Sequence, residues 1–233
     1  MTGVGALRKA IGKGKQDMAE IQLKVLMVNA GPHKRGCTNR ALEEIASELE
    51  RQNVGSTIFW VGTKPIASCI SCHRCAELGR CVFDDRVNDF VDIALHYDGI
   101  VLGSPVHYGA ATGAATAFFD RAFYTLSRAG GPDALRMKVG AAVASCRRAG
   151  NTATIDQLNR YFQLLQMPIA TGRYWNIVHG YTPYDVEQDA EGLQNLRYLA
   201  RNMAFLMKTV AAAPQMGIEL SAQEPAVYTN FIR

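Results

Sequence analysis

Between Leu23 and about Val210, short apolar runs alternate with longer amphipathic stretches, and this limits the fold more than any other feature of the chain. The runs Leu23 to Asn29, Ser56 to Val61, Gly99 to Gly103 and Val139 to Ser145 read as strands, and Ile169 to Val178 as a fifth strand with a loop. The intervening stretches carry their apolar residues at helical spacing. Leu42, Ile45 and Leu49 share a face in a helix capped at Thr38 or Asn39. Val87 to His96 makes a second helix. Phe118, Phe119, Ala122, Phe123 and Leu126 mark one over Thr112 to Arg128, and Ile155, Leu158, Phe162 and Leu165 one over Thr152 to Leu165. Leu193, Leu196, Ala200, Met203 and Met207 mark the last, over Glu191 to Val210. Most strands are apolar on both faces, as strands are when helices cover a parallel sheet from both sides.

The chain has 233 residues, room for one domain with extensions. Residues 22–212 hold the alternation, 1–21 form an N-terminal extension, and 213–233 a tail without period. Met1 to Ile21 carries Arg8, Lys9, Lys13 and Lys15 but lacks the apolar stretch and cleavage site of a signal peptide, and no apolar run is long enough to span a bilayer. The net charge of +4 is spread among mixed acidic and basic residues. This balance argues against nucleic acid or a membrane surface as partner and fits a cytoplasmic protein.

In a doubly wound sheet, ligands bind beyond the carboxyl ends of the strands. Three loops are expected there. The first, Ala30 to Asn39, runs into a helix N-terminus, where free N–H groups and the helix dipole attract an anion. Gly31, His33, Arg35, Cys37, Thr38 and Asn39 are its candidate residues, with a hydroxyl at Thr38 and positive charge at His33, Lys34 and Arg35. The same residues also suit an ordinary capped turn. The loop has neither the G-x-G-x-x-G of a dinucleotide site nor the G-x-x-x-x-G-K-[ST] of a nucleotide phosphate loop. The second loop supplies Ser104, Pro105, Val106, His107, Tyr108 and Gly109, apolar and aromatic surface beside a glycine that lets a flat ring approach. The third supplies Cys146, Arg147, Arg148 and Gly150, a cationic turn for an anion or an electron-rich ring edge.

In this order the loops resemble those of the flavodoxin-like NAD(P)H-dependent FMN reductases. Gly31-Pro32-His33-Lys34-Arg35-Gly36-Cys37-Thr38 stands where that family has G-S-P-R-x-x-(G/S)-N-T, with Gly31, His33 and Cys37 replacing its Ser, Arg and Asn. Gly103-Ser104-Pro105-Val106-His107-Tyr108 is followed by Asp120-Arg121, matching G-S-P-V-Y and a later D-R, and Arg147-Arg148-Ala149-Gly150 matches the third turn. The resemblance implies a five-stranded parallel α/β sheet of order 2-1-3-4-5, with a cysteine-bearing insertion after strand two. It also implies FMN as cofactor, NAD(P)H as donor, a quinone, flavin or similar small molecule as acceptor, and a homodimer or homotetramer. The chemistry is then carried by the flavin, and no catalytic side chain is assigned.

Cys69, Cys72, Cys75 and Cys81 are spaced C-x2-C-x2-C-x5-C. Four thiolates so close suit a [4Fe-4S] cluster, a structural zinc, or no ligand at all. The spacing, with Val82-Phe83-Asp84-Asp85 after it, resembles the iron–sulfur flavoproteins, which implies an electron carrier fed by ferredoxin. A non-catalytic FMN-binding regulator on the same fold is the third possibility. His73 reads as a solvated loop residue and Trp60 as core. Tyr174 and Trp175 read as core or interface packing more than as a substrate platform.

Overall fold

The computed structural model describes residues 22–131 and 133–229; the extension read over 1–21 lies outside them. Five parallel strands form the sheet: β1 (Lys24–Asn29), β2 (Gly55–Trp60), β3 (Gly99–His107), β5 (Val139–Cys146) and β6 (Ile177–His179). Their order is β2-β1-β3-β5-β6, the order expected from the sequence, and β4 (Ala110–Ala111) adds a short antiparallel pair to the end of β3. The register levels the carboxyl ends: Asn29 lies opposite Trp60 and Gly103, Gly103 opposite Val143, and Cys146 opposite His179.

The helices α1 (Cys37–Arg51), α2 (Cys75–Leu78), α3 (Arg86–Ala94), α4 (Gly113–Ala129), α5 (Asn151–Leu164), α6 (Pro183–Gln188) and α7 (Ala190–Ala212) occupy the connections and the C-terminal side. They bury two cores, one on each sheet face. Leu42, Ile45 and Leu49 of α1 pack with Leu196, Met203 and Met207 of α7 on one face. Phe90 of α3, Phe118 and Phe119 of α4 and Phe162 of α5 pack on the other. Burying both faces is what makes the strands read as continuous apolar runs. No helix among the described residues is long and apolar enough to cross a membrane.

Two departures from the sequence reading have local causes. Gly103 was the expected end of the third strand, but β3 continues to His107. β1 stops opposite Gly103, so beyond that point β3 has a strand neighbour on one side only, and Pro105 is tolerated at an edge. The fifth strand was expected from Ile169, yet only one bridge, Gly140 to Ile169, forms before β6. Side-chain amides take over between them. Asn176 donates to Ala142 O (3.1 Å) and accepts from Gly172 N, while Asn195 accepts from Tyr174 N and donates to the carbonyls of Tyr174 and Trp175. Tyr174 and Trp175 therefore stand off the core, both more than half exposed and stacked edge-on with ring centroids 4.5 Å apart.

Candidate functional site

The first loop is built by Asn29, a buried amide at the end of an apolar strand. Its Oδ1 accepts from Gly31 N (2.9 Å), and its Nδ2 faces His33 O, Lys34 O and Asn39 Oδ1 at 3.3–3.4 Å. Trp60 is half-buried rather than core, and its Nε1 donates to Gly31 O (2.9 Å), clamping the loop from β2. The chain then enters α1 at Gly36, which offers no side-chain cap, and the first turn holds no acidic residue. An uncapped helix start of this kind presents its N–H groups to an anion. His33, Lys34 and Arg35 are exposed around it.

Not every candidate side chain is wholly free for such an anion. Asn39 is committed to Asn29 and to Glu43 Oε1 (2.7 Å), which leaves its backbone N–H for the site. Thr38 is buried with its Oγ1 2.8 Å from Ser145 Oγ. Cys37 faces Gly180 O at 3.7 Å, and burial pushes its thiol above the usual range, so it stays neutral at neutral pH.

The second loop is a hairpin tip. Val106 pairs with Ala111 and His107 with Ala110, and Tyr108 and Gly109 form the turn with φ of 51° and 77°. Positive φ at both central positions is the type I′ geometry. It is unfavourable for a bulky residue, and here it holds the Tyr108 ring wholly in solvent beside His107. At the root of the hairpin, Thr112 N donates to the buried Ser104 Oγ (3.2 Å). Thr112 Oγ1 caps α4 through Ala115 N and reaches Ala30 O (3.4 Å), which joins the second loop to the first.

The third loop meets the second directly. Gly150 has φ of 88°, and a Cβ there would stand 2.7 Å from Gly109 Cα and from Val106 Cγ1. Arg147 and Arg148 are exposed and make no ion pair among the described residues. Cys146 is buried, raised by that burial, and accepts from Asn151 Nδ2 (3.4 Å). Asn151 also faces His179 Nε2 (3.3 Å), and His179 N donates to Asp189 Oδ2 (2.7 Å). This network joins the third loop to β6 and the start of α7; none of Asn29, Thr112, Asn151 or His179 was singled out from the sequence. An uncapped helix start, a glycine-bearing cradle and a free cationic turn at one sheet end fit a phosphate joined to a flat ring.

The four clustered cysteines lie apart from these loops, between β2 and α3. Cys69, Cys72, Cys75 and Cys81 line one cleft with Phe83 and Arg121. All six cysteines are free thiols. Cys69 and Cys72 are exposed, and Cys75 is buried at the start of α2, where burial raises its thiol. Among the described residues no three His, Cys, Asp or Glu side chains converge to hold a single metal ion, as a structural zinc would require. The all-sulfur donor set does suit a cluster of several irons, which spreads its ligands wider than one ion does. His73 is exposed, as expected, and bonds Tyr124 Oη through Nδ1 (2.7 Å).

Comparison with known proteins agrees with this architecture. The family model described as NADPH-dependent FMN reductase matches residues 23–182. An iron–sulfur flavoprotein of Methanocaldococcus jannaschii is 29% identical over 195 residues, covering 81% of this chain and 99% of the relative. Among solved structures, RosB with a bound intermediate aligns with a TM-score of 0.64 at 15% identity, covering 91% of this chain and 94% of that one. A WrbA-like flavodoxin from Agrobacterium tumefaciens aligns at 0.55 and 13% identity, covering 81% and 99%. At these identities the two structures speak for the flavodoxin-like fold alone.

Proposed function

The chain belongs to the NADPH-dependent FMN reductase family, and we propose that this FMN-dependent oxidoreductase takes electrons from NAD(P)H and passes them to a quinone, flavin or similarly small acceptor. When bound, FMN supplies the redox chemistry. The protein binds, orients and leaves one approach open. In this reading the N–H groups of Cys37, Thr38 and Asn39, with His33 and Arg35, hold the phosphate. The backbone of Gly31 and of Ser104 to Gly109 receives the ring, Arg147 and Arg148 face its electron-rich edge, and Gly150 keeps the second and third loops in contact. His107 and Tyr108 shape the open approach. The observation that carries the reading is the meeting of three such loops at the level carboxyl ends of β1, β3 and β5.

The test is a fluorescence titration with FMN, riboflavin and FAD, followed by anaerobic mixing of the FMN-loaded protein with NADPH and NADH. FMN should bind more tightly than riboflavin, and one nicotinamide should bleach the flavin absorbance. Equal affinity for FMN and riboflavin would remove the first loop from the site. Bound flavin that neither nicotinamide bleaches would remove the reductase.

A second reading is favoured by the four thiols around one cleft and by relatives named iron–sulfur flavoproteins. Here the protein is an electron carrier whose Cys69, Cys72, Cys75 and Cys81 hold a [4Fe-4S] cluster reduced by a ferredoxin. Iron and acid-labile sulfide per chain after anaerobic preparation decide it. Each single Cys→Ser variant should lose most of its iron and keep FMN, because the flavin loops lie elsewhere. A parent protein without iron, and none taken up on reconstitution, leaves the first reading alone.

A further inference from the structure

Asp120 and Arg121, neighbours in sequence, part company in the fold. Asp120 accepts from Tyr161 Oη (2.6 Å) on the outer side of α4. Arg121 is 1% exposed and points under the cysteine segment. A guanidinium has five N–H donors, and five acceptors meet them here. Nη1 donates to Asp85 Oδ2 (2.7 Å) and Ala67 O (3.3 Å), Nη2 to Asp85 Oδ1 (3.0 Å) and Phe83 O (3.3 Å), and Nε to Cys81 Sγ (3.2 Å). The guanidinium also lies 4.8 Å from the Phe83 ring centroid.

Every one of these acceptors belongs to the stretch 67–85 that carries the cysteines. A buried charge is tolerated only when paired and fully hydrogen-bonded, so Arg121 obliges that stretch to close around it. A second clamp acts on the same point: Asn88, 1% exposed, accepts from Cys81 N (2.8 Å) and donates to Cys81 O (3.1 Å) and Phe83 O (2.9 Å). Cys81 is thus fixed at its backbone by α3 and at its sulfur by α4, while Cys69 and Cys72 are exposed. Asp85 alone would anchor the arginine as an ion pair; the Nε–H aimed at sulfur is a further feature that a plain clamp does not need.

We propose that Arg121 is the positioning residue of the cysteine segment: its buried guanidinium fixes the Cys81 sulfur and, through the N–H···S bond, sets the potential of the group the four thiols hold. The first half stands on the geometry; the second rests on the iron–sulfur reading. Hydrogen bonds to sulfur and nearby positive charge raise a cluster's potential, so losing the bond lowers it.

Two measurements on Arg121→Lys test this. In metal-free protein, hydrogen–deuterium labelling mapped by mass spectrometry should show the segment around Cys81 exchanging about tenfold faster than in the parent, the scale of one lost charge-assisted hydrogen bond, with the β1 segment unchanged. In protein reconstituted anaerobically with iron and sulfide, redox titration should place the variant's potential below the parent's. Where Arg121→Lys does not fold, Arg121→Met with Asp85→Asn removes both charges of the ion pair together, and the same two shifts are expected of it. A parent that takes up no iron ends the iron–sulfur reading and the potential-setting half with it, and the labelling alone decides the positioning half. Parent-like exchange around Cys81 overturns the positioning, and a parent-like potential in iron-loaded variant overturns the potential-setting.

Discussion

Thr38 Oγ1 and Ser145 Oγ lie 2.8 Å apart, both side chains buried, and join the first turn of α1 to the end of β5. The hydroxyl expected from the sequence to meet a phosphate is therefore already half-engaged. A hydroxyl has one proton and two lone pairs, and either oxygen of this pair can be the donor. Thr38 keeps its proton for an anion only when Ser145 donates. Thr38→Val should then weaken FMN by about tenfold relative to riboflavin, the scale of a hydrogen bond to a charged group. Ser145→Ala should leave the ratio of FMN to riboflavin affinity near that of the parent. Each single variant also strands a buried hydroxyl at about 1–3 kcal/mol, so urea unfolding of the double variant should show a loss smaller than the sum of the two. A Thr38→Val protein with parental discrimination between FMN and riboflavin would make the pair purely structural.

Gly150→Ala separates loop contact from backbone strain. Gly150 has φ of 88° and no room for a Cβ against Gly109 and Val106, whereas Gly62 has φ of 95° and open space around it. Both substitutions force a residue with a Cβ into the left-handed region, at about 1–3 kcal/mol. Only Gly150→Ala must also displace the 106–109 hairpin. FMN titration of the two variants should show a marked loss for Gly150→Ala and near-parental binding for Gly62→Ala. Equal losses would mean that the contact between the loops does not shape the site.

These positions also show what could be read from the chain before it folds. The strands, the buried helix faces and the three loops follow from periodicity and turn chemistry because each is a local property of its own segment, whereas the strand order, a long-range property, came only from the resemblance to a known family. The pairing of Thr38 with Ser145 spans 107 residues, and that of Arg121 with Cys81 spans 40; no local pattern announces either. Asn29 left one signal, a buried-type amide ending an apolar strand. The hairpin at Tyr108-Gly109 hid behind Pro105, which reads as a strand end unless one knows that β1 stops opposite Gly103. The short β6 could not be foreseen, since Asn176 and Asn195 replace its ladder with side-chain bonds.

Arg147 and Arg148 are exposed on the third loop without an ion pair among the described residues. A positive group beside the electron-rich edge of the flavin stabilises its anionic reduced form, so removing both charges should lower the potential. Spectroelectrochemistry of the FMN-loaded Arg147→Ala/Arg148→Ala protein should show that drop, with a circular dichroism spectrum and unfolding midpoint like the parent's. A parental potential would place both arginines in solvent, away from the ring.

Acid should unfasten α1 from α7 before it reaches the cores. Glu48 of α1, with its side chain 2% exposed, accepts from Arg201 Nε of α7 (2.7 Å), Arg51 Nη1 (2.9 Å) and Gln52 Nε2 (3.2 Å). The bond from Arg201 outweighs burial and holds the Glu48 carboxyl below its ordinary value. In Glu44, burial is likewise overcome by the bonds from Arg197 and Arg40, and its carboxyl is lowered too. A carboxyl whose value is lower in the folded than in the unfolded state contributes stability that is full above the unfolded value, about 4.3. That stability drains as pH falls through the folded value. The melting temperature should therefore drop below about pH 4.3, and Glu48→Gln should lie under the parent at pH 7 and approach it at pH 3. Thermal unfolding of both proteins across that range checks this. A gap between them that stays constant with pH would mean that Glu48 contributes by packing and neutral hydrogen bonds rather than by its charge.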